Sequence, residues 1–287
     1  MTCALPSFRT PPTVPPPVPG GGDDDARCLG VDIGGTTIKY AVVDPVRGTT
    51  VGPVRRVPTP APATPAAVVA ALRGVLAGLE DAPELDRPLA GVGVGVPAII
   101  DHGIARSAAH LDDSWIGADA RELLATGLGR QVAVLNDADA AGLAEVRFGA
   151  ARDARGTVLV ITLGTGIGSA LFLDGELIPN SEFGHVWLDG RDVDGWAGAS
   201  ARTVEALDWP TYTDRLQRYL SHLERLISPD LIVLGGGISE RHQEFLPHLR
   251  LRARVAPAQL RNAAGIVGAG RQAHLGAEQA GRLAGIR

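Results

Sequence analysis

The chain has 287 residues, of which 45% are hydrophobic, and its 27 basic and 32 acidic residues give a net charge of −5. This length suffices for one large or two ordinary domains, and the negative charge argues against a general nucleic-acid binder. No apolar run approaches the roughly 20 residues that span a bilayer, so no membrane partner is expected. The two cysteines, Cys3 and Cys28, cannot build a disulfide framework, which favours a reducing cytoplasmic location.

The first 26 residues are rich in proline, then in glycine, then in aspartate. This composition buries too little apolar surface to order itself, so residues 1–26 are predicted to form a disordered tail. A ligand for an SH3-type domain is the alternative interpretation of the prolines. No basic stretch followed by an apolar core is present, so no secretory signal is predicted.

The next segment predicts two short strands joined by a glycine turn. Residues 29–33 and 38–43 are apolar runs of strand length. The turn between them contains Gly34, Gly35, Thr36 and Thr37. Because glycine has no Cβ, backbone N–H groups in such a turn can approach a ligand. Asp32 precedes the turn, and Lys39, the only lysine among the 27 basic residues, follows it.

Further elements complete the first half of the chain. In order, we expect a strand at residues 51–57, a helix at 66–79, a strand at 91–100, a helix at 119–126 and a strand at 131–135. The first three strands would form an antiparallel meander. The strand at 91–100 is interrupted by glycine and contains Pro97 and Ala98, where the backbone could lie against a ligand.

Polar residues follow the last of these strands. Asn136, Asp137 and Asp139 come directly after it, and ligands in α/β sheets bind beyond the carboxyl ends of strands. These side chains could instead cap the helix that begins near Ala138, with Asp137 or Asp139 as the expected cap. Because capping requires fewer polar residues, we interpret Asp137 as catalytic. It would take the proton of a substrate hydroxyl and orient that oxygen for attack.

A second glycine turn lies in the middle of the chain, between apolar runs at residues 158–163 and 170–173. The turn contains Gly164, Thr165, Gly166 and Gly168. A strand rather than a helix follows, which favours a phosphate cradle over a dinucleotide site, and a tight hairpin without a ligand is the alternative. After a hairpin signal at residues 174–175, Glu182 and His185 suggest a pocket for a polyhydroxylated molecule.

The second half repeats the plan of the first. Helices are expected near residues 200–205 and 212–227, and a strand at 230–234 ends in Gly235, Gly236 and Gly237. Such a glycine cluster suits the close approach of a phosphate, a base or a helix N-terminus. The last helix, at 263–283, is rich in alanine and glycine and would pack back across the first half. Two glycine turns facing one cleft can hold a polyanion, as phosphoryl transfer requires.

Three segments resemble the ROK group of the actin-like sugar kinases. LGVDIGGTTIK at residues 29–39, VLNDADAAG at 134–142 and LGTGIGS at 163–169 are similar to its first phosphate motif, catalytic segment and second phosphate loop. The likeness covers about residues 28–270 and is strongest to polyphosphate-using glucokinases of the group. It implies an α/β, actin-like (ribonuclease H-like) fold with a cleft between two domains.

The domains implied by this resemblance are residues 27–137 and 138–267, with the C-terminal helix at about 268–287 packing back on the first. The implied reaction transfers a phosphoryl group from inorganic polyphosphate, or from ATP, to the 6-hydroxyl of glucose. The implied cofactor is Mg²⁺. Homodimers are common in the group, so a homodimer is expected.

The resemblance also assigns roles to single residues. Asp137 would be the catalytic base. The sugar would contact Asn136, Glu182, His185, Pro97 and Ala98. The donor phosphates would contact Asp32, Gly34, Gly35, Thr36, Thr37, Lys39, Gly164, Thr165, Gly166 and Gly168. Asp32 would hold Mg²⁺ through water, and Gly235, Gly236 and Gly237 would lie near a nucleotide base if one binds.

Two features depart from the common pattern of the group. Many members carry a cysteine-rich zinc site after the segment that ends in His185, but residues 186–205 contain no cysteine, which excludes a zinc site of that kind. His110 stands where asparagine is expected. It would either contact the sugar or be a neutral loop residue.

The sequence leaves open which phosphoryl donor the protein uses and whether it is an enzyme or a regulator. Arginines that could guide a polyphosphate chain, or form only a solvated face, are Arg147, Arg152, Arg155, Arg241, Arg250, Arg252, Arg254 and Arg261. One alternative function is a strictly ATP-dependent hexokinase acting on glucose or mannose. A non-catalytic sugar-binding regulator is less favoured, because residues 1–27 offer no room for a helix-turn-helix.

Overall fold

The computed structural model describes residues 26–79 and 82–284. The tail predicted for residues 1–26 therefore lies, except for Ala26, outside the described residues, as do residues 285–287. The strands are β1 (Arg27–Ile33), β2 (Thr37–Asp44), β3 (Thr49–Pro58), β4 (Leu89–Val96), β5 (Ile100–Asp101), β6 (Ile104–Ala105), β7 (Val132–Asn136), β8 (Thr157–Leu163), β9 (Ile167–Leu173), β10 (Glu176–Ile178), β11 (Trp187–Leu188), β12 (Arg191–Asp192), β13 (Leu231–Gly235) and β14 (Arg254–Pro257). The α-helices are α1 (Pro65–Ala77), α2 (Ala120–Leu128), α3 (Asp137–Phe148), α4 (Asp194–Ala197), α5 (Ala199–Val204), α6 (Trp209–Ile227) and α7 (Ala264–Ala284).

Two five-stranded sheets share one topology. Their orders are β3-β2-β1-β4-β7 and β10-β9-β8-β13-β14. In each sheet an antiparallel meander comes first, and two parallel strands extend the sheet beyond the first strand of that meander. The predicted repetition of one plan in the two halves is confirmed.

One predicted strand is too long, and several short strands, among them β14, were not predicted. The strand predicted at residues 91–100 ends at Val96, because Pro97 has no N–H to continue the ladder, and Ile100 belongs to the separate strand β5. Strand β14 was not predicted from the sequence, since its four residues include one arginine and one proline and show no alternation. It pairs in parallel with β13 at the edge of the second sheet.

Helix α7 lies directly on the first sheet because glycines remove the side chains between them. A Cβ on Gly30 would lie 2.0 Å from the carbonyl oxygen of Ile266, and one on Gly93 would lie 1.8 Å from that of Ala269. Helices α1 and α2 cover the opposite face, where residues such as Leu29, Val31 and Val94 are fully buried with them. The first sheet is thus covered on both sides.

Helix α3 joins the two halves. A Cβ on Gly142 would lie 2.7 Å from the ring of Phe172 on β9, so α3 packs tightly on the second sheet. On another side of α3, a Cβ on Gly268 would lie 1.8 Å from the carbonyl oxygen of Ala140. The helix therefore contacts both α7 and the second sheet, and its first turn lies where the halves meet.

None of the helices in residues 26–79 and 82–284 is long and apolar enough to cross a membrane.

Candidate active site

Two carboxylates face each other at the carboxyl edge of the first sheet. Asp32 on β1 pairs in register with Gly95 on β4, and Gly95 pairs with Leu135 on β7, two residues before Asp137. A Cβ on Gly95 would lie only 3.4 Å from the Cα of Asp137. Because Gly95 has no side chain, nothing from β4 separates Asp32 from Asp137.

Asn136, not one of the aspartates, caps helix α3. Its Oδ1 accepts the backbone N–H groups of Ala138 at 2.9 Å and Asp139 at 3.0 Å, and its Nδ2 donates to the carbonyl oxygen of Ala98 at 3.2 Å. The expectation that Asp137 or Asp139 is the cap is therefore wrong. Asparagine is among the best N-cap residues, and its capping of α3 means that Asp137, in the first turn, is not the cap.

The surroundings of Asp137 favour its protonated form. Burial is the main cause, and the nearby charges of Asp32 and Glu182 add to it, so the pKa of Asp137 is raised from 3.8 to about 7. The N–H of Ala138, which donates to Oδ1 at 2.8 Å, opposes the shift. A carboxylate with a pKa near neutrality is matched to accepting a proton at physiological pH.

The first glycine turn is braced by a threonine that the sequence analysis did not single out. Thr59 Oγ1 donates to the carbonyl oxygen of Gly34 at 2.6 Å, and Thr59 N–H donates to that of Thr36 at 3.1 Å. Within the turn, Gly34 N–H donates to the carbonyl oxygen of Thr37 at 3.0 Å. Beside the turn, Lys39 Nζ forms an ion pair with Asp32 at 3.1 Å.

His110 lies against this turn. A Cβ on Gly35 would lie 2.8 Å from the Cβ of His110, and His110 has a positive φ of 60° and an exposed side chain. The structure thus places His110 beside the first glycine turn, and its contact with a sugar stays a prediction.

The second glycine turn is closed by Asp194 and Ser200, both missed in the sequence analysis. The Oδ1 of Asp194 accepts the N–H of Ile167 at 2.5 Å, and a Cβ on Gly166 would lie 2.4 Å from that oxygen. Ser200 N–H donates to the carbonyl oxygen of Gly164 at 3.1 Å, and Ser200 Oγ donates to that of Thr165. These partners come from α4 and α5, 27 or more residues away, so no local pattern reveals them.

Two further contacts tie the second turn to Asp137 and to the Glu182 segment. A Cβ on Gly168 would lie 2.8 Å from the Cβ of Ala138, the residue after Asp137. A Cβ on Gly184 would lie 2.0 Å from the carbonyl oxygen of Ile167, so glycine is required between Glu182 and His185. The second turn, the start of α3 and the Glu182 segment therefore form one packed unit.

Ser169 and Tyr219 hold the segment that carries Glu182 and His185. Ser169 Oγ accepts the N–H of Phe183 at 2.8 Å and donates to the carbonyl oxygen of Ser181. Tyr219 Oη donates to the carbonyl oxygen of Phe183 at 3.1 Å. Neither side chain was singled out from the sequence, since a serine in a strand and a tyrosine in a helix carry no local functional signal.

Glu182 and His185 differ in exposure. Burial, with a smaller effect from Asp194, raises the pKa of Glu182, whereas His185 lowers it. The side chain of His185 is 57% exposed and lies 3.7 Å from the carboxylate of Asp192. Glu182 therefore faces the desolvated interior beside Asp137, and His185 lies at its rim.

Asn180 connects this segment to the first half of the chain. Its Oδ1 accepts the N–H of Ile100 at 2.9 Å, and its Nδ2 donates to the carbonyl oxygen of Ile100 at 3.0 Å. Its own N–H donates to Oδ2 of Asp139 at 2.9 Å. Burial raises the pKa of Asp139 to about 6. Pro97 and Ala98, next to Ile100, are buried.

The triple glycine approaches the second turn from the other side. Gly236 has a φ of 79°, and a Cβ there would lie 2.2 Å from the carbonyl oxygen of Leu163. A cavity of about 520 Å³ separates Gly237 from Gly164 and Thr165. Of the arginines predicted to guide a donor, Arg241 lines this cavity, and so does Arg202, which the sequence analysis missed.

The candidate metal ligands do not form a closed cage. In the described part of the chain, no three or more His, Cys, Asp or Glu side chains are grouped to hold a metal ion. Asp32 and Asp137 remain as a pair of neighbouring carboxylates.

Two α/β halves of equal topology, each with a glycine turn and with a carboxylate where they meet, define the actin-like class of phosphotransferases. The sequence profile of the ROK family matches residues 28–207, and the chain belongs to that family.

Individual relatives of known name are similar to this chain over most of its length. The chain is 43% identical over 250 residues to polyphosphate glucokinase of Mycobacterium tuberculosis (strain CDC 1551 / Oshkosh), covering 87% of this chain and 92% of that protein. It is similar to the crystal structure of inorganic polyphosphate/ATP-glucomannokinase from Arthrobacter sp. strain KM, with 54% identity, a TM-score of 0.83, and coverage of 88% and 100%. A ROK family glucokinase from Streptomyces griseus in complex with glucose and AMPPNP is 26% identical, with a TM-score of 0.68 and coverage of 85% and 98%.

Proposed function

We propose that this protein phosphorylates glucose on its 6-hydroxyl with inorganic polyphosphate as donor and ATP as a second donor. The observation that carries the proposal is the location of Asp137, between the first glycine turn with Asp32 and the second turn with Glu182. The names of the relatives, a polyphosphate glucokinase and a polyphosphate/ATP-glucomannokinase, support the choice of acceptor and donor.

In the proposed mechanism Asp137 is the general base. Its carboxylate accepts the proton of the sugar hydroxyl and orients the oxygen for in-line attack on the terminal phosphoryl group. Glu182 and His185 bind other hydroxyls of the sugar, and Glu182 does so from a desolvated position where a hydrogen bond to charge is strong. Asn136 keeps one amide N–H for the sugar after its hydrogen bond to Ala98. Pro97 and Ala98 form the adjoining wall.

The donor phosphates bind between the two glycine turns. The backbone N–H groups of the exposed residues Gly35, Thr36 and Thr165 and of the half-buried Gly166 would contact phosphate oxygens in the way that nests of amides bind anions. Lys39 supplies a compact positive charge. When the donor enters, Lys39 can exchange its ion pair with Asp32 for a phosphate. Gly164 and Gly168 shape the second turn. Gly237 borders the cavity proposed for the donor, and Gly235 and Gly236 directly precede it.

The residues present fit Mg²⁺ as the cofactor. The carboxylates of Asp32 and Asp137 are close enough for the charge of one to raise the pKa of the other. Mg²⁺ is commonly held by one or two carboxylates together with water and substrate phosphates. Asp32 would hold the ion through water, and the ion would neutralise charge on the transferring phosphoryl group.

The proposal extends to the organisation of the molecule. Residues 27–137 and 138–267 form two domains that close on the sugar, with the C-terminal helix packed on the first. We further propose a homodimer, as the resemblance to the ROK group implies, and a cytoplasmic location, as the scarcity of cysteine favours.

A glucose 6-phosphate assay with polyphosphate, ATP and GTP in parallel, at saturating glucose and Mg²⁺, tests the proposed function. Polyphosphate should support turnover at least as well as ATP, and GTP should support little. Turnover with ATP alone would instead establish the ATP-dependent hexokinase. Glucose binding without turnover by any donor would establish the sugar-binding regulator.

A further inference from the structure

We call the cavity between Gly237 and the second turn the donor cavity; among the described residues that line it, two are arginines and none is acidic. Its lining includes Gly164 and Thr165 of the second turn, Gly237 of the triple glycine, and the side chains of Arg202, Trp209 and Arg241. Positive charge in a concave site raises the local concentration of anions. The cavity that borders the second phosphate turn is therefore suited to further negative charge along the donor.

Arg202 is held in place by an aromatic ring. Its guanidinium carbon lies 3.9 Å from the centre of the Trp209 ring, and that of Arg241 lies 5.2 Å from the same centre. Trp209 is itself fixed, since it stacks on Phe245 with ring centres 6.0 Å apart and meets Tyr212 edge-on at 6.2 Å. Stacking on tryptophan is a common way to orient a guanidinium.

Arg202 has unused hydrogen-bonding capacity. Its Nε is buried and has no hydrogen-bond partner among the described residues. A buried donor without an acceptor is costly, and most such groups in folded proteins have a partner. The two arginines also differ, because Arg241 is paired with Glu244 at 2.8 Å whereas Arg202 forms no ion pair within the described ranges. The carboxylate of Asp208, on which Arg202 acts electrostatically, already accepts the N–H of Thr211 as the cap of α6.

We propose that Arg202, oriented by Trp209, selects polyphosphate as donor by binding phosphate groups beyond the one that is transferred. This inference rests on the proposed function, and it concerns the donor alone. Arg202 lines the cavity in which a continuing phosphate chain would lie, and a guanidinium can donate two parallel hydrogen bonds to one phosphate.

The stacking of Arg202 on Trp209 also disfavours binding of a nucleoside in this cavity. Arg202 already covers a face of the Trp209 ring, so a purine base cannot stack on that face. The nucleoside part of ATP also carries no charge to attract a guanidinium, whereas every phosphate of a polyphosphate chain does. The arginine therefore favours a continuing polyanion over a base at this end of the donor site.

Steady-state kinetics of Arg202→Gln and Arg202→Lys test the proposal, with polyphosphate or ATP varied at saturating glucose. For Arg202→Gln we expect the KM for polyphosphate to rise about tenfold or more, since a charge-assisted contact to phosphate is lost, with a smaller change in kcat. The ratio of kcat/KM for polyphosphate to that for ATP should fall. Arg202→Lys keeps the positive charge but loses the planar group that stacks on Trp209. Its KM for polyphosphate should therefore lie between those of the wild type and Arg202→Gln.

Arg282→Gln, on the exposed end of α7 where Arg282 pairs with Glu278, is the matched control for loss of one positive charge. Its KM for polyphosphate should stay within about twofold of the wild type, because an exposed surface charge contributes little. The KM for polyphosphate should also depend less steeply on salt in Arg202→Gln than in either the wild type or this control.

Three outcomes would overturn the inference: an unchanged KM for polyphosphate, an equal loss with ATP, or an equal change in Arg282→Gln. If Arg202→Gln does not fold, as judged by circular dichroism, Arg202→Lys decides by the same criteria. Failure of the wild type to use polyphosphate would instead refute the donor in the proposed function. The two failures are thus distinguished by the wild-type assay.

Discussion

The raised pKa of Asp137 depends on neighbours on three different elements. Asp32 on β1 and Glu182 in the segment after β10 both add negative charge near it, and burial removes the water that would stabilise its own charge. Gly95 on β4 leaves the space in which Asp32 and Asp137 approach. A single residue with a raised pKa is thus the product of the fold rather than of its local sequence.

Asp137→Asn should lower kcat by about 10²- to 10⁴-fold, because the amide cannot accept the sugar proton. Glucose affinity should change by only a few-fold, since the amide keeps the shape of the side chain. In the wild type kcat/KM should rise with pH through about 7, where Asp137 becomes ionised, and the residual activity of the variant should lack this step. Initial rates from pH 5.5 to 8.5 and glucose titrations would measure both, and near-normal turnover would remove Asp137 from its role.

The stability of the same variant provides a control. Because the pKa of Asp137 is raised in the folded protein from 3.8 to about 7, the folded state binds more protons than the unfolded state between these values. Wild-type stability is therefore lost as the pH rises through this window. Asp137→Asn should be more stable than the wild type at pH 8, by on the order of 1 kcal/mol after allowance for solvent screening. The difference should vanish near pH 4, as thermal unfolding at both pH values would reveal.

The sequence predicted those candidate site residues whose signal is local. Asp32, Asp137, Glu182 and both glycine turns follow strands or stand in short motifs, and the structure brings them to one region. Asp194 and Ser200 were missed, because they bond to a turn that lies far from them along the chain, and Arg202 was missed because no local pattern marks it as part of the cavity lining. The wrong choice of cap for α3 has a different cause, since asparagine and aspartate are equally good caps and only the structure tells which side chain turns back.

Among the elements, α7 depends most on the absence of side chains. Gly268 faces the carbonyl oxygen of Ala140 on α3, and Gly93 and Gly30 face the backbone of α7. The small-residue composition of this helix predicted close packing, and its observed bounds, Ala264–Ala284, differ by one residue from those expected. The sequence could not tell that α3 as well as the first sheet lies against it, because that contact depends on how the two halves meet.

Gly268→Ala should destabilise the protein by about 2–4 kcal/mol, because a methyl group placed 1.8 Å from a backbone oxygen forces α3 and α7 apart. Gly276→Ala is the matched control on the same helix. Nothing lies within 4 Å of a Cβ at Gly276, so this change should be neutral or stabilise by about 0.5–1 kcal/mol through helix propensity. Urea unfolding of both variants measures the difference, and equal stabilities would contradict the packing of α7 described above.

At the scale of the whole molecule, Asn180 bridges the halves. Its amide makes two hydrogen bonds to the backbone of Ile100, while its N–H binds Asp139 on α3. The repeated topology was predictable from the order of strands and glycine turns. The bridge was not, because Asn180 and Ile100 are 80 residues apart and neither stands in a recognisable motif.

Asn180 has a φ of 59°, which glycine also tolerates. Asn180→Gly therefore preserves the backbone conformation but removes both hydrogen bonds to Ile100. We expect a loss of about 1–2 kcal/mol in the free energy of unfolding and a higher KM for glucose, because the Glu182 segment would be held less firmly. Ala206→Gly, at an exposed residue with a φ of 51°, controls for the relief of a positive φ and should not destabilise. An unchanged KM and stability in Asn180→Gly would rule out a role for the bridge.

The position of α7 has a consequence for the order in which the molecule assembles on the ribosome. The face of the first sheet that carries Gly30 and Gly93 is covered by a helix that begins only at Ala264. The first sheet is therefore synthesised well before this helix, and one of its faces stays uncovered until α7 has left the ribosome. A nascent chain halted before residue 264 should bind chaperones and resist proteases poorly, whatever the state of its second sheet.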